Sequence, residues 1–122
     1  MNVLVIDDDP DILFIVAKAL ELDGITVLTA TTALDGLGRA ALDRPDGILM
    51  DLTLPDLKGT ALLDRLRAGE ATRDIPVVVL TARTRPEEIK DVLARGARDV
   101  ITKPFEPDRL GKRLRELFTR SG

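Results

Sequence analysis

Residues 47–59 read GILMDLTLPDLKG. A short apolar run ends at the carboxylate of Asp51, and Pro55 and Gly59 then break the backbone. We interpret the run as a buried strand that delivers Asp51 to a loop. A strand that is apolar on both faces is typical of a parallel sheet covered by helices, where ligands bind at the carboxyl ends of the strands. Asp51 is therefore the first candidate for a functional residue.

Three other apolar runs end in polar residues that would converge on Asp51. Residues 3–6 precede Asp7-Asp8-Asp9, residues 77–80 precede Thr81-Ala82, and residues 100–102 precede Lys103-Pro104. The set resembles the receiver domain of two-component response regulators, which has an acidic pair, a phosphorylated Asp, a hydroxyl residue and a Lys-Pro pair. The resemblance covers essentially all 122 residues.

The composition predicts one soluble domain. A chain of 122 residues is large enough for one core and too small for a separate effector module as well. No apolar run approaches the ~18 residues of a membrane span, and no signal-peptide pattern opens the chain. We expect a single receiver domain over residues 1–122, without an effector domain, located in the cytoplasm and not bound to a membrane.

The sequence has no His and no Cys. It therefore excludes thiolate or imidazole metal sites, Ser-His and Cys-His nucleophiles, and an imidazole general base. Carboxylate, hydroxyl and amine chemistry remains. Oxygen ligands alone favour a hard cation such as Mg²⁺ over zinc.

The net charge of −3 is unevenly distributed. Residues 1–82 are acidic on balance and residues 83–122 are basic. The basic excess is interpreted first as solvated helix faces and alternatively as a docking surface for an output partner. Direct nucleic-acid binding is not expected, because the three aromatic residues, all Phe, are not interleaved with a basic run.

The apolar pattern predicts five strands that alternate with five helices. Such alternation is typical of a doubly wound α/β domain with one parallel sheet. The resemblance implies the flavodoxin-like strand order 2-1-3-4-5, in which the first and third strands are neighbours. The strands are predicted at 2–6, 25–30, 47–50, 76–80 and 99–102. The helices are predicted at 10–22, from a cap at Thr31 or Thr32 to about 42, at 60–68, at 86–95, and from 107 to a frayed end at 120–122.

The predicted first helix combines a core face with an exposed aromatic side chain. Phe14 points away from the sheet and is a candidate docking residue for the histidine kinase, with Ile12 and Ile15 beside it. The residues at helical spacing that would cover the sheet are Ile12, Ile15, Val16, Ala19 and Leu20.

The second helix has only a thin apolar stripe. Leu34, Leu37 and Ala41 form it, and Gly36 and Gly38 lower the helix propensity. This helix is predicted to be the least stable. The last helix, by contrast, has a strong apolar face, which consists of Leu110, Leu114, Leu117 and Phe118.

If the first and third strands are neighbours, Asp7, Asp8 and Asp51 meet at one edge of the sheet. Carboxylates that close together repel one another unless a cation lies among them, which points to Mg²⁺. The resemblance implies that Asp8 binds the metal directly, that Asp7 acts mainly through water, and that the backbone carbonyl of Thr53 is a further ligand.

The resemblance also implies the roles of the remaining site residues in phosphoryl transfer. Asp51 is the nucleophile that forms an acyl phosphate, and Lys103 and Thr81 contribute an ammonium and a hydroxyl to the phosphoryl oxygens. Ala82 is small enough to admit the phosphate, and Thr53 lies beside it. The bond before Pro104 is expected to be cis, which would aim Lys103 inward.

The sequence departs from the family pattern at three positions. Val100 stands where receivers usually have an aromatic residue that turns inward on activation. Arg98 and Arg109 stand where DNA-binding members carry acids, so the resemblance does not extend to the dimerisation mode of those members. The partners that the resemblance implies are a sensor histidine kinase or a histidine phosphotransfer protein, with an unidentified output partner.

Two other functions compete with the phosphoacceptor. A phosphatase of the haloacid dehalogenase type also uses an Asp nucleophile, a hydroxyl and a Lys, but residues 51–55 would then be unexplained. A receiver-like interaction module that works without phosphate is favoured by Val100 alone. On the leading interpretation the protein is a signalling phosphoacceptor rather than an enzyme that turns over a substrate.

Overall fold

A computed structural model of the protein describes residues 1–120. The predicted fraying at Ser121 and Gly122 lies outside these residues. None of the helices described is both long enough and apolar enough to cross a membrane. The elements are β1 (Asn2–Ile6), α1 (Pro10–Leu22), β2 (Thr26–Ala30), α2 (Ala33–Asp43), β3 (Gly47–Met50), α3 (Gly59–Ala68), β4 (Val77–Thr81), α4 (Pro86–Ala94), β5 (Asp99–Thr102) and α5 (Pro107–Thr119).

The five strands form one parallel sheet in the order β2-β1-β3-β4-β5, which confirms the predicted fold. In the register of β1 and β3, Ile6 is opposite Met50, so the next residues of both strands, Asp7 and Asp51, emerge side by side. Thr81 is opposite Thr102 in the register of β4 and β5. The polar ends of four strands therefore share one edge of the sheet.

The helices begin where local chemistry predicts. The Asp9 carboxylate accepts a hydrogen bond from the Asp11 N–H at 2.9 Å, and Pro10 follows it at the start of α1. Of the two candidate caps of α2, Thr32 is the one used: its Oγ1 accepts from the Asp35 N–H at 3.1 Å. Pro86 and Pro107 open α4 and α5.

Each face of the sheet has its own buried core. Leu4 and Ile6 of β1 point to the face covered by α2 and α3, whereas Val3 and Val5 point to the face covered by α1 and α5. Alternate side chains of a strand point to opposite faces, so a strand covered on both sides is apolar throughout. Full burial of one such side chain contributes about 1.5–3 kcal/mol.

The face that α1 presents to the sheet differs from the prediction. Ile15, expected in the core, is 42% exposed, whereas Leu13 packs against the core together with Ile12. Val16, Ala19 and Leu20 are buried as predicted. Ile12 therefore contributes to the core, and Phe14 and Ile15 are left together on the surface.

The buried face of α2 was also predicted incorrectly. Ala33, Gly36 and Ala40 are buried, with Leu37 packed partly against the core, whereas Leu34 is 54% exposed and Ala41 is exposed. The reason is the short distance between α2 and β1. A Cβ on Gly36 would lie 2.5 Å from Cδ1 and 2.9 Å from Cγ1 of Ile6, so only small residues fit between the two elements.

The two glycines of α2 should respond in opposite directions to alanine. Gly36→Ala should lower the free energy of unfolding by about 1–3 kcal/mol, because the buried Ile6 side chain must move. Gly38→Ala should raise it by up to about 1 kcal/mol, since no atom lies within 4 Å of the new methyl group and alanine is the better helix former. Urea denaturation measures both. Equal changes in the two variants would contradict the close packing of α2 on β1.

Candidate functional site

Three carboxylates meet at the carboxyl edge of the sheet. Asp7 and Asp8 follow β1, and Asp51 follows β3. The backbone fixes their positions: the Asp51 N–H donates to the Ile6 carbonyl at 3.0 Å, and the Asp7 N–H donates to the Ala30 carbonyl at 3.1 Å. One oxygen from each carboxylate lies within 4.8 Å of the others. Asp7 is buried, Asp51 is half-buried and Asp8 is exposed.

Lys103 reaches this cluster from the end of β5. Its Nζ donates to Oδ2 of Asp7 at 3.1 Å and to Oδ2 of Asp51 at 3.3 Å. The Lys103 N–H donates to the Thr81 carbonyl at 2.9 Å, which attaches this residue to the end of β4. The peptide bond between Lys103 and Pro104 is cis, in agreement with the sequence-based expectation.

The protonation of the cluster reflects burial and charge together. Burial raises the pKa of Asp7, and the Asp9 N–H and the Lys103 ammonium offset this only in part. Burial disfavours the Lys103 ammonium, but its hydrogen bond to Asp7 and the charge of Asp51 outweigh that effect and raise the pKa of Lys103. The lysine therefore remains protonated between two acids.

The loop after β3 folds back onto the site. The Leu52 N–H donates to Oδ1 of Asp51 at 2.7 Å, and the Gly59 N–H donates to the Leu52 carbonyl at 2.9 Å. A Cβ on Gly59 would lie 2.5 Å from Cα of Leu52 and 2.9 Å from the carbonyl oxygen of Asp51. Only glycine permits the start of α3 to approach the Asp51 loop this closely.

The hydroxyl of Thr81 lies at the end of β4, between the strands that deliver Asp51 and Lys103. Its side chain is buried, and Oγ1 accepts from the Arg83 N–H at 3.0 Å. A hydroxyl can also donate one hydrogen bond, so Thr81 retains a donor for another group. Ala82 and Thr53 are exposed, on the loops that follow β4 and β3.

The donor set fits Mg²⁺. Three carboxylates, Asp7, Asp8 and Asp51, face the single ammonium of Lys103, so negative charge remains in excess. All the candidate ligands are oxygens, which is the donor type that Mg²⁺ prefers. The exposed Asp8 leaves one side of the cluster open to water, and Mg²⁺ usually keeps several of its waters when a protein binds it.

A cleft of about 410 Å³ opens next to the cluster, between the loop after β3 and α4. Thr53, Lys58, Arg83, Glu88 and Asp91 contribute to its lining. An ion pair crosses one side of it, with Nε of Arg83 3.1 Å from Oε2 of Glu88. The Arg83 N–H is bonded to the Thr81 hydroxyl, so one loop joins this cleft to the end of β4.

Sequence reasoning missed Asp56. Its carboxylate accepts from the Ala33 N–H at 2.8 Å and from the Leu34 N–H at 3.0 Å. These bonds, that of Leu34 first, lower the pKa of Asp56. An Asp after Pro55 has the local pattern of a turn former. No sequence signal identifies a partner 23 residues away.

The predicted docking residues are not all available at the surface. Phe14 is 66% exposed and Ile15 lies beside it, whereas Ile12 packs partly into the core. Phe14 and Ile15 border an apolar groove of about 450 Å³ between α1 and the start of α5, whose other lining residues include Lys18, Leu22 and Pro107.

Several basic side chains of residues 83–120 are bonded to other groups of the domain. Arg98 donates to the carbonyls of Leu117 at 2.9 Å and Arg120 at 2.7 Å, at the end of α5. Ion pairs with acids involve Arg83, Arg85, Arg95, Arg109 and Arg113.

Val100 stands at the position where an aromatic residue was expected from the family pattern. It is half-buried, and its aliphatic side chain packs against the core.

The chain is similar in sequence to known proteins. The sequence model of the response regulator receiver domain matches residues 3–115. The chain is 43% identical over 119 residues to the transcriptional regulatory protein KdpE of Mycobacterium tuberculosis, covering 98% of this chain and 51% of that protein. It is 38% identical over 121 residues to the transcriptional regulatory protein PrrA of the same organism, covering 99% of this chain and 51% of that protein. The chain thus spans about half the length of these curated relatives.

Solved structures show the same likeness. The chemotaxis response regulator CheY4 of Vibrio cholerae superposes with a TM-score of 0.88 at 31% identity, covering 95% of this chain and 97% of that one. The receiver domain of the Francisella response regulator 1452 gives a TM-score of 0.90 at 32% identity, with 99% and 98% covered.

Mg²⁺ should raise the thermal stability of this protein. A ligand that binds only the folded state stabilises it by about 2.7 kcal/mol at a hundredfold excess over its Kd. Asp8→Asn should lose most of this effect, because Asp8 supplies an exposed carboxylate to the cluster. Asp11→Asn is the matched control and should retain it. Thermal melts with MgCl₂ and with EDTA measure the difference. An equal gain in both variants would contradict the site.

Proposed function

This chain belongs to the response regulator receiver domain family, and on that premise we propose that it accepts a phosphoryl group on Asp51 in a Mg²⁺-dependent reaction. The donor is a sensor histidine kinase or a histidine phosphotransfer protein. The observation that supports this most directly is the position of the Asp51 carboxylate, which lies within 4.8 Å of the Asp7 and Asp8 carboxylates and is bonded to Lys103.

The proposed transfer is an in-line displacement at phosphorus. An oxygen of Asp51 forms the new P–O bond while the P–N bond of a phosphohistidine breaks, and the histidine nitrogen leaves with the electron pair. Asp7, Asp8, Asp51 and the Thr53 carbonyl would hold Mg²⁺. The metal, when bound, supplies positive charge to the phosphoryl oxygens.

The protein's own groups supply the remaining stabilisation. The Lys103 ammonium is already directed at Asp51, so it meets the phosphoryl oxygens without a large movement. The Thr81 hydroxyl can donate to another of these oxygens while it still accepts from Arg83. Ala82 is proposed to matter by its size, because a larger side chain there would obstruct the phosphate.

The output is proposed to pass through the loop between β4 and α4. Val100 has no aromatic ring that could alternate between exposed and buried positions. The Arg83 backbone is bonded to the Thr81 hydroxyl, and the Arg83 side chain pairs with Glu88 on α4. Within α4 only Val92 is buried, so this helix is weakly held and free to shift when Thr81 changes partner.

The same departure at Val100 supports a second candidate function, a receiver-like module that acts without phosphate. It accounts for the missing aromatic but leaves the Asp51 cluster and Lys103 without a role. We also propose that residues 1–120 form one receiver unit, and that output reaches an effector or partner protein. The basic residues of the α4 and α5 region remain the candidate surface for it.

Acetyl phosphate should phosphorylate the wild-type protein. With Mg²⁺ present, intact mass spectrometry should show the gain of one phosphoryl group, and EDTA should abolish it. Asp51→Asn should show no gain, because the nucleophilic carboxylate is removed. Asp46→Asn, an exposed carboxylate before β3, is the control and should be labelled normally. Labelling that survives in Asp51→Asn, or a wild type that is never labelled, would favour the phosphate-independent module.

Recognition of the donor is proposed to use Phe14 and Ile15. Phe14→Lys should slow transfer from phosphorylated histidine kinases by about tenfold or more, because it places a charge in an apolar contact. Labelling by acetyl phosphate should be unchanged. Leu42→Lys is the matched control, since Leu42 is an exposed side chain on α2, on the opposite face of the sheet. Equal slowing in both variants, or slower acetyl phosphate labelling in Phe14→Lys, would refute this contact.

A further inference from the structure

Asp56 joins the loop after β3 to the beginning of a different helix. Its carboxylate accepts the N–H groups of Ala33 at 2.8 Å and Leu34 at 3.0 Å, the first two residues of α2. The third N–H of this helix, that of Asp35, is bonded to Thr32. The first N–H groups of a helix have no partner inside it. Here a side chain from another part of the chain satisfies two of them.

The charge of Asp56 suits this position. The positive end of the helix dipole and two N–H donors favour the ionised carboxylate. They lower the pKa of Asp56, so the carboxylate stays charged further into the acid range than an ordinary Asp does. The stabilisation is present above the unfolded pKa of the acid and is lost as the pH falls through the folded pKa.

The segment that Asp56 anchors is the loop that follows Asp51. Its two ends are fixed near Leu52, by the bond from the Leu52 N–H to Asp51 and by the bond from the Gly59 N–H to the Leu52 carbonyl. Between these ends lies the exposed Thr53. Within residues 1–120, Asp56 makes the only hydrogen bonds found between residues 53–57 and another helix or strand.

Apolar contacts alone hold the rest of this segment. Leu54 and Leu57 pack partly against the core below α2 and α3. Such contacts are not directional, so they restrict the position of the backbone less than two charged hydrogen bonds do. Asp56 therefore supplies the directional contacts that fix residues 53–57 relative to α2.

We propose that Asp56 is a positioning residue for phosphorylation: by bonding to the start of α2, it holds the loop that carries Thr53 in place beside Asp51. The inference rests on the proposed function. It assigns to the first turn of α2 a part in organising the metal and phosphoryl site, although no residue of α2 reaches that site. Loss of the anchor affects Mg²⁺ binding first, because the Thr53 carbonyl is the proposed ligand on this loop.

The test compares Asp56→Ala and Asp56→Asn with Asp46→Ala. Asp46 is a matched control, because its exposed carboxylate also accepts a distant backbone N–H, that of Asn2 at 2.7 Å, but at the opposite edge of the sheet. Calorimetric titration with MgCl₂ should show a Kd about tenfold higher for Asp56→Ala than for the wild type. Asp46→Ala should bind Mg²⁺ as the wild type does. Asp56→Asn retains one acceptor oxygen and should lie between the two.

Two further measurements separate positioning from simple capping. Labelling by acetyl phosphate should slow in Asp56→Ala at low Mg²⁺ and approach the wild-type rate at saturating Mg²⁺. Without metal, amide hydrogen exchange should accelerate at Ala33 and Leu34 in Asp56→Ala and not in Asp46→Ala. If Asp56→Ala does not fold, as judged by circular dichroism, Asp56→Asn decides by the same criteria.

The outcomes distinguish this inference from the function on which it rests. A lower melting temperature in Asp56→Ala with unchanged Mg²⁺ affinity and labelling would make Asp56 only a helix cap, and would overturn the inference while the proposed function stands. A wild-type protein that acetyl phosphate never labels would overturn the proposed function itself.

Discussion

The Lys103 ammonium is shared by two carboxylates that would otherwise repel each other. Its Nζ lies 3.1 Å from Asp7 and 3.3 Å from Asp51, and these residues come from the ends of three different strands. The cluster exists only because β1 and β3 are neighbours and β5 lies two strands away from β3. A parallel sheet brings such ends to one edge, and the two apolar layers of helices keep the strands in register.

The charges of this cluster lower the stability of the fold but favour the binding of a cation. Burial raises the pKa of Asp7, so its charged form destabilises the fold once the pH rises through that pKa. One ammonium among three carboxylates leaves the site short of positive charge. Functional sites commonly keep unfavourable charge of this kind, because the ligand that relieves it is then bound more strongly. The excess of carboxylate is what makes the site suited to a divalent cation.

The support around the cluster is unequal. The loop after β3 is held by Gly59, which packs on Leu52, and by Asp56, which bonds to α2. The loop after β4 is held by one side-chain hydrogen bond, from the Arg83 N–H to Thr81, and by two ion pairs to α4, those of Arg83 with Glu88 and of Arg85 with Glu87. The loop that carries Thr53 is therefore held more firmly beside Asp51 than the loop that carries Arg83 is held beside Thr81.

The sequence by itself determined the order of the elements and the chemistry at the strand ends. Apolar runs, prolines and capping residues act over a few positions, so β1, the start of α1 at Pro10 and the polar residues after four strands were all predictable. The convergence of Asp7, Asp8, Asp51 and Lys103 followed once the strand order was assumed.

The tertiary structure alone decided what depends on contact between distant segments. The buried face of α2 consists of Ala33, Gly36 and Ala40, because the helix lies too close to Ile6 for larger residues, and hydrophobicity along the chain does not report that distance. Ile15 is exposed for a similar reason, since the position of α5 beside α1 determines which side of α1 is covered. The bonds of Asp56 to α2 cannot be predicted from the neighbouring sequence either. A carboxylate in a turn has the same sequence pattern whether its partner is water or the first turn of a helix 23 residues away.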